Sequence, residues 1–266
     1  MPTLDFFFSN VKLPTLSEVA HALIKTLNDD NSSVQQVSDL IARDPAMTAK
    51  LLRLANSAAF GLPRGVSSID DAISLVGMSK VRTLSMASCL CDSFPLLPGL
   101  DPREFWSTSM ATAGYAQWMA KGIGADSQQA WLTGMMLRLG ELLIGQADPI
   151  VLKEIEKMPH LPGGRWEREK NLSGFSEGQI TGELARRWNF PAEVVTALQQ
   201  SFDPLSHRPF SRLAAIVHLS GLLADTPHAT VEALDDLPED LVHALLMDGE
   251  WLHAKFPNED TFIRMQ

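Results

Sequence analysis

The sequence predicts an all-α protein made of many short helices. Apolar residues recur at the 3.6-residue spacing of a helix in one segment after another, and no segment shows the alternation of a half-buried strand. Helix-start residues and prolines separate these segments at short intervals. The chain has 266 residues, of which 45% are hydrophobic, so it is long enough to bury one sizeable core or two subdomains.

The most informative segment covers residues 44–61, DPAMTAKLLRLANSAAFG. Asp44 is expected to accept hydrogen bonds from the free amides of a helix start, and Pro45 suits the first helical position because no amide donor is needed there. Asn56 has a side chain suited to holding the following loop, which includes Gly61, against this helix. The apolar residues that share one face of the helix are Met47, Leu51, Leu54, Ala55 and Ala58.

Helices are also predicted on both sides of this segment. Thr15 and Glu18 form a capping box for the first helix. The helix after the segment ends at Gly77, where a left-handed cap is expected. Short connections should pack these helices into a compact N-terminal bundle. The other helices of this bundle are expected at about residues 34–41, 68–76 and 81–90.

A proline-rich stretch, residues 92–102, interrupts the helical pattern and is the best candidate for a boundary between subdomains. Beyond it, residues 128–145 predict one helix that is apolar almost all round, which places it at the centre of a bundle. Residues 159–174 have the composition of a loop, in which Trp166 is the candidate for a surface contact. Other helices are expected at residues 105–121, from 149 onwards, and at 176–189, 191–201 and 211–223.

Two neighbouring segments, DPAMTAKLLRLANSAAFG and VSSIDDAISLVGMSKVRTLSMA, closely resemble the bacterial HDOD family, which is related to the HD-superfamily metal phosphohydrolases. The resemblance extends from about Leu13 to about Asp225. It implies an N-terminal helical bundle (residues 1–95) packed on a degenerate HD-like helical bundle (96–225), followed by a C-terminal helical extension (226–266). The family-signature residues, which we interpret as structural, are Asp44, Pro45, Asn56, Gly61 and Gly77.

The HD-superfamily enzymes that resemble the second bundle use His and Asp side chains to hold one or two metals that activate a water. Carried over by resemblance, their ligand positions fall on residues that cannot form a metal cage, with Glu177 as the one possible carboxylate. The resemblance therefore implies a protein without metal, cofactor or catalysis. The positions, which would form a residual pocket, are Thr108, Leu137, Arg138, Glu177, Ser201 and Gly221.

Arg138 stands where one of these metal ligands would be. Its guanidinium is a fixed cation that cannot deprotonate to become a ligand. A buried arginine must be paired, and Glu141 or Glu177 could supply the carboxylate. We therefore hypothesise that an ion pair from Arg138 to a glutamate replaces the metal as the tie between these helices.

Other motifs in the sequence do not indicate a metal or nucleophile site. His218 is a single histidine in an apolar helix, which is more often a satisfied core residue than a ligand. Glu250 and His253 form one Glu-x-x-His motif, whereas a carboxylate-bridged metal bundle needs two. Cys89 and Cys91 point to different faces of one helix and are interpreted as packing residues. Gly-rich phosphate loops are absent from the sequence.

The charge of the chain argues against nucleic acid as a partner. A net charge of −10 and a sequence pI of about 5.1 repel a phosphate backbone, and no Lys/Arg cluster overrides this locally. The apolar run at residues 6–8 lacks a basic region before it and is far too short for a signal peptide or a membrane span. We therefore expect a cytoplasmic protein without membrane association.

The favoured interpretation is a non-catalytic HDOD protein that acts by binding other proteins. The resemblance implies a scaffold or output role in bacterial signal transduction, with cyclic dinucleotide enzymes or response regulators among the expected partners. The alternative is a nucleotide- or phosphate-binding pseudo-phosphohydrolase that keeps the pocket near Thr108, Arg138 and Glu177, because arginine suits a phosphate as well as a carboxylate. The sequence leaves the oligomeric state open.

Overall fold

The computed structural model describes residues 3–29, 32–56, 64–95, 97–157, 161–259 and 262. Within these ranges the protein consists of helices, turns and loops without a strand, which confirms the all-α prediction. None of the helices in these ranges is long and apolar enough to cross a membrane. The α-helices are α1 (Leu4–Ser9), α2 (Glu18–Leu27), α3 (Val34–Ala42), α4 (Pro45–Ala55), α5 (Ile69–Val76), α6 (Met78–Ser93), α7 (Pro102–Gly122), α8 (Ser127–Met136), α9 (Leu139–Ala147), α10 (Pro149–Ile155), α11 (Gly164–Ser173), α12 (Glu177–Arg187), α13 (Ala192–Gln200), α14 (Arg212–Asp225), α15 (Glu239–Ala244) and α16 (Gly249–Ala254).

The signature residues of the first helices act locally, as their chemistry predicts. Asp44 accepts hydrogen bonds from two backbone amides in the first turn of α4, both at 3.0 Å. Asn56 ties the following loop to α4, because it donates to the Val66 carbonyl (2.8 Å) and accepts from the Val66 amide (2.7 Å). Gly77 ends α5 at φ +95°, but its ψ of 143° differs from that of the left-handed helical cap we expected. Gly61 lies outside the described residues.

The start of α2 differs from the sequence prediction. The cap is Ser17, whose hydroxyl accepts a hydrogen bond from a first-turn amide at 3.1 Å, so α2 begins at Glu18. The prediction of Thr15 as the cap was wrong. Leu16 is buried in the core, and the chain reaches it before it turns into the helix. The helix therefore has its cap two residues later than predicted, after the buried Leu16.

Helix α6 joins the N-terminal helices to the rest of the protein. It packs against α2, α4 and α5, and also against α8. Its residues from Val81 to Leu90 are buried except for Arg82. Residues 94–101 separate α6 from α7, and Asp101 caps α7 by accepting from a first-turn amide at 2.8 Å. One hydrophobic core runs through the described helices, and the division of the chain into three domains stays a prediction.

The predicted single helix over residues 128–145 is broken near Leu137 and Arg138, where α8 ends and α9 begins. Thr181 of α12 stabilises the break, because its hydroxyl accepts from the Gly140 amide (2.7 Å) and donates to the Leu137 carbonyl (2.9 Å). The prediction of one continuous helix was wrong. The side chain that satisfies the broken backbone comes from another helix, so the apolar pattern of α8 and α9 does not reveal it.

Residues 159–174 were predicted as a loop, but they contain the helix α11. This prediction was wrong because the segment is polar and shows no apolar face. Its buried residues are mainly charged, with Arg165 and Glu169 four residues apart on the inner face. Helix α11 packs against α10. Electrostatic contacts to neighbouring helices therefore hold a helix that hydrophobic periodicity misses.

The C-terminal extension packs its aromatic residues on α7. Trp251 stacks on Trp118, with the ring centroids 5.6 Å apart and the planes at 17°. A Cβ on Gly122 would lie 2.5 Å from Trp251, and one on Gly114 would lie 2.4 Å from Phe262. The small residues of α7 therefore allow the extension to approach its backbone closely.

Gly140 allows α9 to approach α12, because a Cβ on it would lie 2.2 Å from the carbonyl oxygen of Glu177. We expect Gly140→Ala to lower the free energy of unfolding by about 3 kcal/mol, since two backbones must move apart. Urea denaturation followed by circular dichroism measures this change. Gly249→Ala is the control, because a Cβ there meets no atom within 4 Å. Equal stability of the two variants would contradict the packing of α9 on α12.

Candidate functional site

Four of the six positions carried over from the HD-superfamily enzymes lie together in the core. Leu137, Glu177, Ser201 and Gly221 are buried. A Cβ on Gly221 would lie 3.3 Å from Leu137. A Cβ on Gly178, the residue after Glu177, would lie 2.2 Å from the Ser201 hydroxyl oxygen and 3.3 Å from Leu137. The turn between α8 and α9, the start of α12, the end of α13 and the middle of α14 thus meet at one place.

The other two positions are Arg138 and Thr108. Arg138 is buried beside Leu137, and its guanidinium carbon lies 5.3 Å from the centroid of the Phe105 ring on α7. Thr108 is half-buried one turn further along α7, and its carbonyl accepts a hydrogen bond from the Thr112 hydroxyl at 2.9 Å. The structure therefore places Arg138 against Phe105, and Thr108 lies three residues after Phe105 on the same helix.

The indole of Trp166 fills the space between these positions. The side chain is 5% exposed, and its Nε1–H donates to Glu177 Oε1 at 2.7 Å. A Cβ on Gly221 would come within 2.6 Å of the indole ring. The expectation of Trp166 as a surface contact was wrong, because α11 carries the residue into the core. An apolar ring thus occupies the place where the resemblance put a residual pocket.

Arg165, next to Trp166, is the centre of a buried ionic cluster. Its guanidinium is 3% exposed. Nη1 lies 2.6 Å from Glu141 Oε2 and 3.3 Å from Glu169 Oε1, and Nη2 lies 2.9 Å from Glu177 Oε2. These carboxylates belong to α9, α11 and α12, so one guanidinium ties three helices together. The Arg165 cluster consists of Arg138, Glu141, Glu156, Arg165, Glu169 and Glu177.

Arg138 pairs with Glu141, one of the two partners that we considered. Its Nε and Nη2 both donate to Glu141 Oε2, at 3.0 and 2.8 Å. The two residues are only three positions apart at the start of α9, so this pair does not by itself join distant helices. The tie between helices is made by Arg165, which connects Glu141 to Glu177.

The Arg165 cluster has four carboxyl groups for two guanidinium groups. Burial raises the pKa of Glu169 well above its usual range, and the charge of Glu177 raises it further. Burial also raises the pKa of Glu177, against the opposing effect of Arg165. Burial acts in the same direction on Glu141, but Arg138 and Arg165 outweigh it and lower the pKa of Glu141. The two guanidinium groups therefore favour the ionised form of Glu141, whereas burial favours the protonated forms of Glu169 and Glu177.

Glu156, at the end of α10, extends the cluster toward the surface. Burial and the charge of Glu141 raise the pKa of Glu156 to about 7. In its protonated form Glu156 donates a hydrogen bond to Glu141. The cluster thus contains a carboxyl group that changes its charge near neutral pH.

The residues at the HD positions do not fit a metal ion. The described residues include no group of three or more His, Cys, Asp or Glu side chains that could hold one. Glu141 and Glu177 already contact guanidinium groups, and Glu177 also accepts from the Trp166 indole. A divalent cation would have to enter beside two fixed cations. The arrangement is suited to holding helices together.

Sequence reasoning missed five residues of this site: Arg165, Trp166, Glu169, Glu156 and Thr181. The first three lie in the segment that was interpreted as a loop. One signal was available, because Arg165 and Glu169 have the i,i+4 spacing of a helical ion pair directly after two glycines. Thr181 carries no such signal, since threonine in a helix is common and its partners are distant in sequence.

The comparisons with known proteins identify one family. A model of the HDOD domain matches residues 13–204 of the chain. A protein of Treponema pallidum is 24% identical over 204 residues, which cover 74% of this chain and 39% of that protein. The cyclic di-GMP phosphodiesterase CdgJ of Vibrio cholerae is 27% identical over 146 residues, which cover 53% of this chain and 31% of that protein. The chain therefore spans less than half the length of either relative.

Solved structures with a similar fold are also known. A candidate phosphohydrolase from Shewanella amazonensis is 29% identical with a TM-score of 0.76, and the match covers 95% of this chain and 91% of that chain. An HDOD domain protein from Geobacter sulfurreducens is 23% identical with a TM-score of 0.74, covering 94% and 91%. A candidate signal transduction protein from Marinobacter aquaeolei is 23% identical with a TM-score of 0.76, covering 95% and 57%. The last two support the fold alone.

Removal of the central cation should strongly destabilise the protein. We expect Arg165→Met to lower the free energy of unfolding by about 3–5 kcal/mol, because Glu141 and Glu177 lose a buried partner. Denaturant titration measures the loss. Arg186→Met is the control, since the Arg186 side chain is exposed and Glu183 keeps Arg187 as a second partner, so this variant should lose little stability. A loss no larger in Arg165→Met than in Arg186→Met would refute the central role of Arg165.

Glu156 should make stability depend on pH near neutrality. Its pKa is about 7 in the folded protein against 4.5 for an ordinary glutamate, so its proton contributes stability that is lost as the pH rises through about 7. Glu156→Gln keeps a donor for Glu141 but does not titrate. As the pH rises from about 5 to 8, the free energy of unfolding of the wild-type protein should therefore fall by roughly 1–2 kcal/mol more than that of this variant. This figure allows for solvent screening.

Thermal unfolding across this pH range measures the difference. Glu154→Gln is the matched control, because Glu154 lies on the same helix but pairs with Lys157 at the surface. Its stability should follow the wild-type pH dependence. A Glu156→Gln variant with the full wild-type slope would show that another group carries this titration.

Proposed function

The chain belongs to the HDOD family, whose domain model matches residues 13–204, and we propose that it is a non-catalytic member that acts in signal transduction by binding other proteins. In this proposal the helical body is a scaffold or output module. The family assignment supports the signalling role, and the chemistry of the residual HD position supports the absence of catalysis.

The observation that carries the proposal is the position of Arg165 between Glu141 and Glu177, with Arg138 on the other side of Glu141. Hydrolysis in the HD superfamily depends on a metal that polarises water. A guanidinium has only N–H donors and no open coordination position, so it cannot take over that step. Trp166 fills the neighbouring space with an indole ring. With these side chains in place, the protein is proposed to act through its surface.

The second candidate function is binding of a nucleotide or phosphate in the residual pocket. The similarity to the CdgJ phosphodiesterase favours it, although the match covers only 31% of that protein. Arg138 would be the expected phosphate ligand. Two of its N–H groups already donate to Glu141, and a phosphate would compete with a buried carboxylate for them. This competition makes the binding of other proteins the better supported candidate.

We expect the purified full-length chain to contain no stoichiometric metal and to neither bind nor hydrolyse cyclic di-GMP, with or without added Mn²⁺. Elemental analysis, isothermal calorimetry and a product assay measure these properties. An active HD-type phosphodiesterase serves as the positive control. Arg138→Met should give the same result as the wild-type protein, because no phosphate is expected at this residue.

Proximity labelling in the native cell, with the unfused labelling enzyme as control, should then identify partner proteins, and binding of each is confirmed with purified components. Metal-dependent hydrolysis that a chelator abolishes would refute the non-catalytic proposal. Cyclic di-GMP binding that Arg138→Met removes would instead support the second candidate function. A failure to confirm any partner across several growth states would count against a role in binding proteins.

A further inference from the structure

A surface groove of about 590 Å³ opens beside Trp166. Its sides come from the start of α11, the loop after α13, α14 and the C-terminal extension. Sites for ligands commonly have volumes of roughly 300–1,000 Å³, so the groove can accept several side chains of a bound segment. We call it the Trp166 groove, and its larger apolar residues include Trp166, Phe202, Leu222 and Leu237.

The charged side chains that line the Trp166 groove are acidic. Glu167 comes from α11, Asp203 from the loop after α13, and Asp236 from the extension. No lysine or arginine lines the groove among the residues that the structure describes. Three separate segments thus place carboxylates around one apolar surface.

His218 adds a further hydrogen-bond acceptor to the groove. Its Nδ1 lies 2.7 Å from the carbonyl oxygen of Ser201. A carbonyl can only accept, so Nδ1 carries the hydrogen and Nε2 keeps a lone pair. Burial lowers the pKa of His218 below its usual value, which keeps the ring neutral at pH 7. The imidazole is therefore an acceptor through Nε2.

Several donors beside the groove are already engaged within the protein. The Thr226 hydroxyl and the amides of Gly163 and Gly164 donate to internal acceptors at 3.0, 3.4 and 2.8 Å. The Trp166 indole donates to Glu177. The polar side chains of the groove therefore present acceptors, which repel a phosphate and suit a ligand rich in N–H groups.

One cation of this chain lies beside the groove. The Lys170 ammonium lies 4.1 Å from the centroid of the Phe202 ring, so this ring already interacts with one positive group. A bound cation is therefore expected at the carboxylates of the groove and not on this ring.

We propose that the Trp166 groove binds a basic segment of a partner protein. Its arginine or lysine side chain lies among the three carboxylates, and a neighbouring apolar side chain packs on Phe202 and Leu222. This inference rests on the proposed function, because it names the class of partner for a protein that acts by binding. The extension supplies Asp236 and Leu237, so it forms part of the binding surface as well as covering α7.

The test uses the full chain and a fluorescein-labelled peptide that contains two Arg-Leu pairs separated by glycine. The same peptide with citrulline in place of arginine is the neutral match. Fluorescence anisotropy at about 0.15 M salt should show binding of the arginine peptide and about tenfold weaker binding of the citrulline peptide.

Variants of the groove and of a distant surface distinguish binding in the groove from general attraction of a basic peptide to an acidic protein. Glu167→Gln combined with Asp236→Asn should weaken binding of the arginine peptide about tenfold. Glu18→Gln combined with Glu104→Gln removes two exposed charges elsewhere and should leave the affinity within about twofold. Leu161, on the rim, is 71% exposed, so it can be changed without disturbing the core. Leu161→Arg should weaken binding and Leu161→Gln should not.

Three results would overturn the inference. The first is that the wild-type protein does not bind the arginine peptide. The second is an equal loss in both double variants, which would show general attraction to an acidic protein. The third is displacement of the peptide by free spermidine at the same concentration as the peptide. This would show that the groove binds a small polycation. None of these results contradicts the proposed function. The proposed function would be contradicted by hydrolysis of cyclic di-GMP or by the lack of confirmed partners.

Discussion

The buried guanidinium of Arg165 is the interaction on which the second half of the molecule depends. It lies between carboxylates of α9, α11 and α12, all shielded from water. A buried cation without such partners would cost several kcal/mol, so Glu141 and Glu177 must face it. Residues 164–173 must be helical to bring Glu169 next to Arg165, and Trp166 follows into the core. A polar segment thus forms an inner helix for electrostatic reasons.

The same interaction limits the chemistry at the HD position. A metal site and an ion-pair cluster can both hold helices together. A catalytic metal also keeps an open position at which water binds and loses a proton more easily. The guanidinium groups of Arg138 and Arg165 offer no such position, and they neutralise carboxylates that a metal would need. The cluster therefore holds the helices of this part of the chain together through ion pairs.

Local chemistry made part of this structure predictable. The roles of Asp44 and Asn56 follow from hydrogen bonds within about ten residues, and Arg138 pairs with Glu141 only three residues away. The break after α8 was not predictable in this way, because Thr181 reaches it from 41 residues further along the chain. Helix α11 was missed for the same reason, since most carboxylates that stabilise it belong to other helices. Both features were missed because they depend on contacts between segments that are distant in the sequence.

Trp166 connects the buried cluster to the surface. Its indole N–H donates to Glu177, while its ring lines the groove. Burial raises the pKa of both Glu169 and Glu177, and a change in the charge of Glu177 would alter the hydrogen bond that positions the ring. If a bound segment prefers one position of the ring, it must change the proton affinity of the pair, and the proton must change the affinity for the segment by the same factor. The Trp166 side chain thus contacts both the buried cluster and the groove.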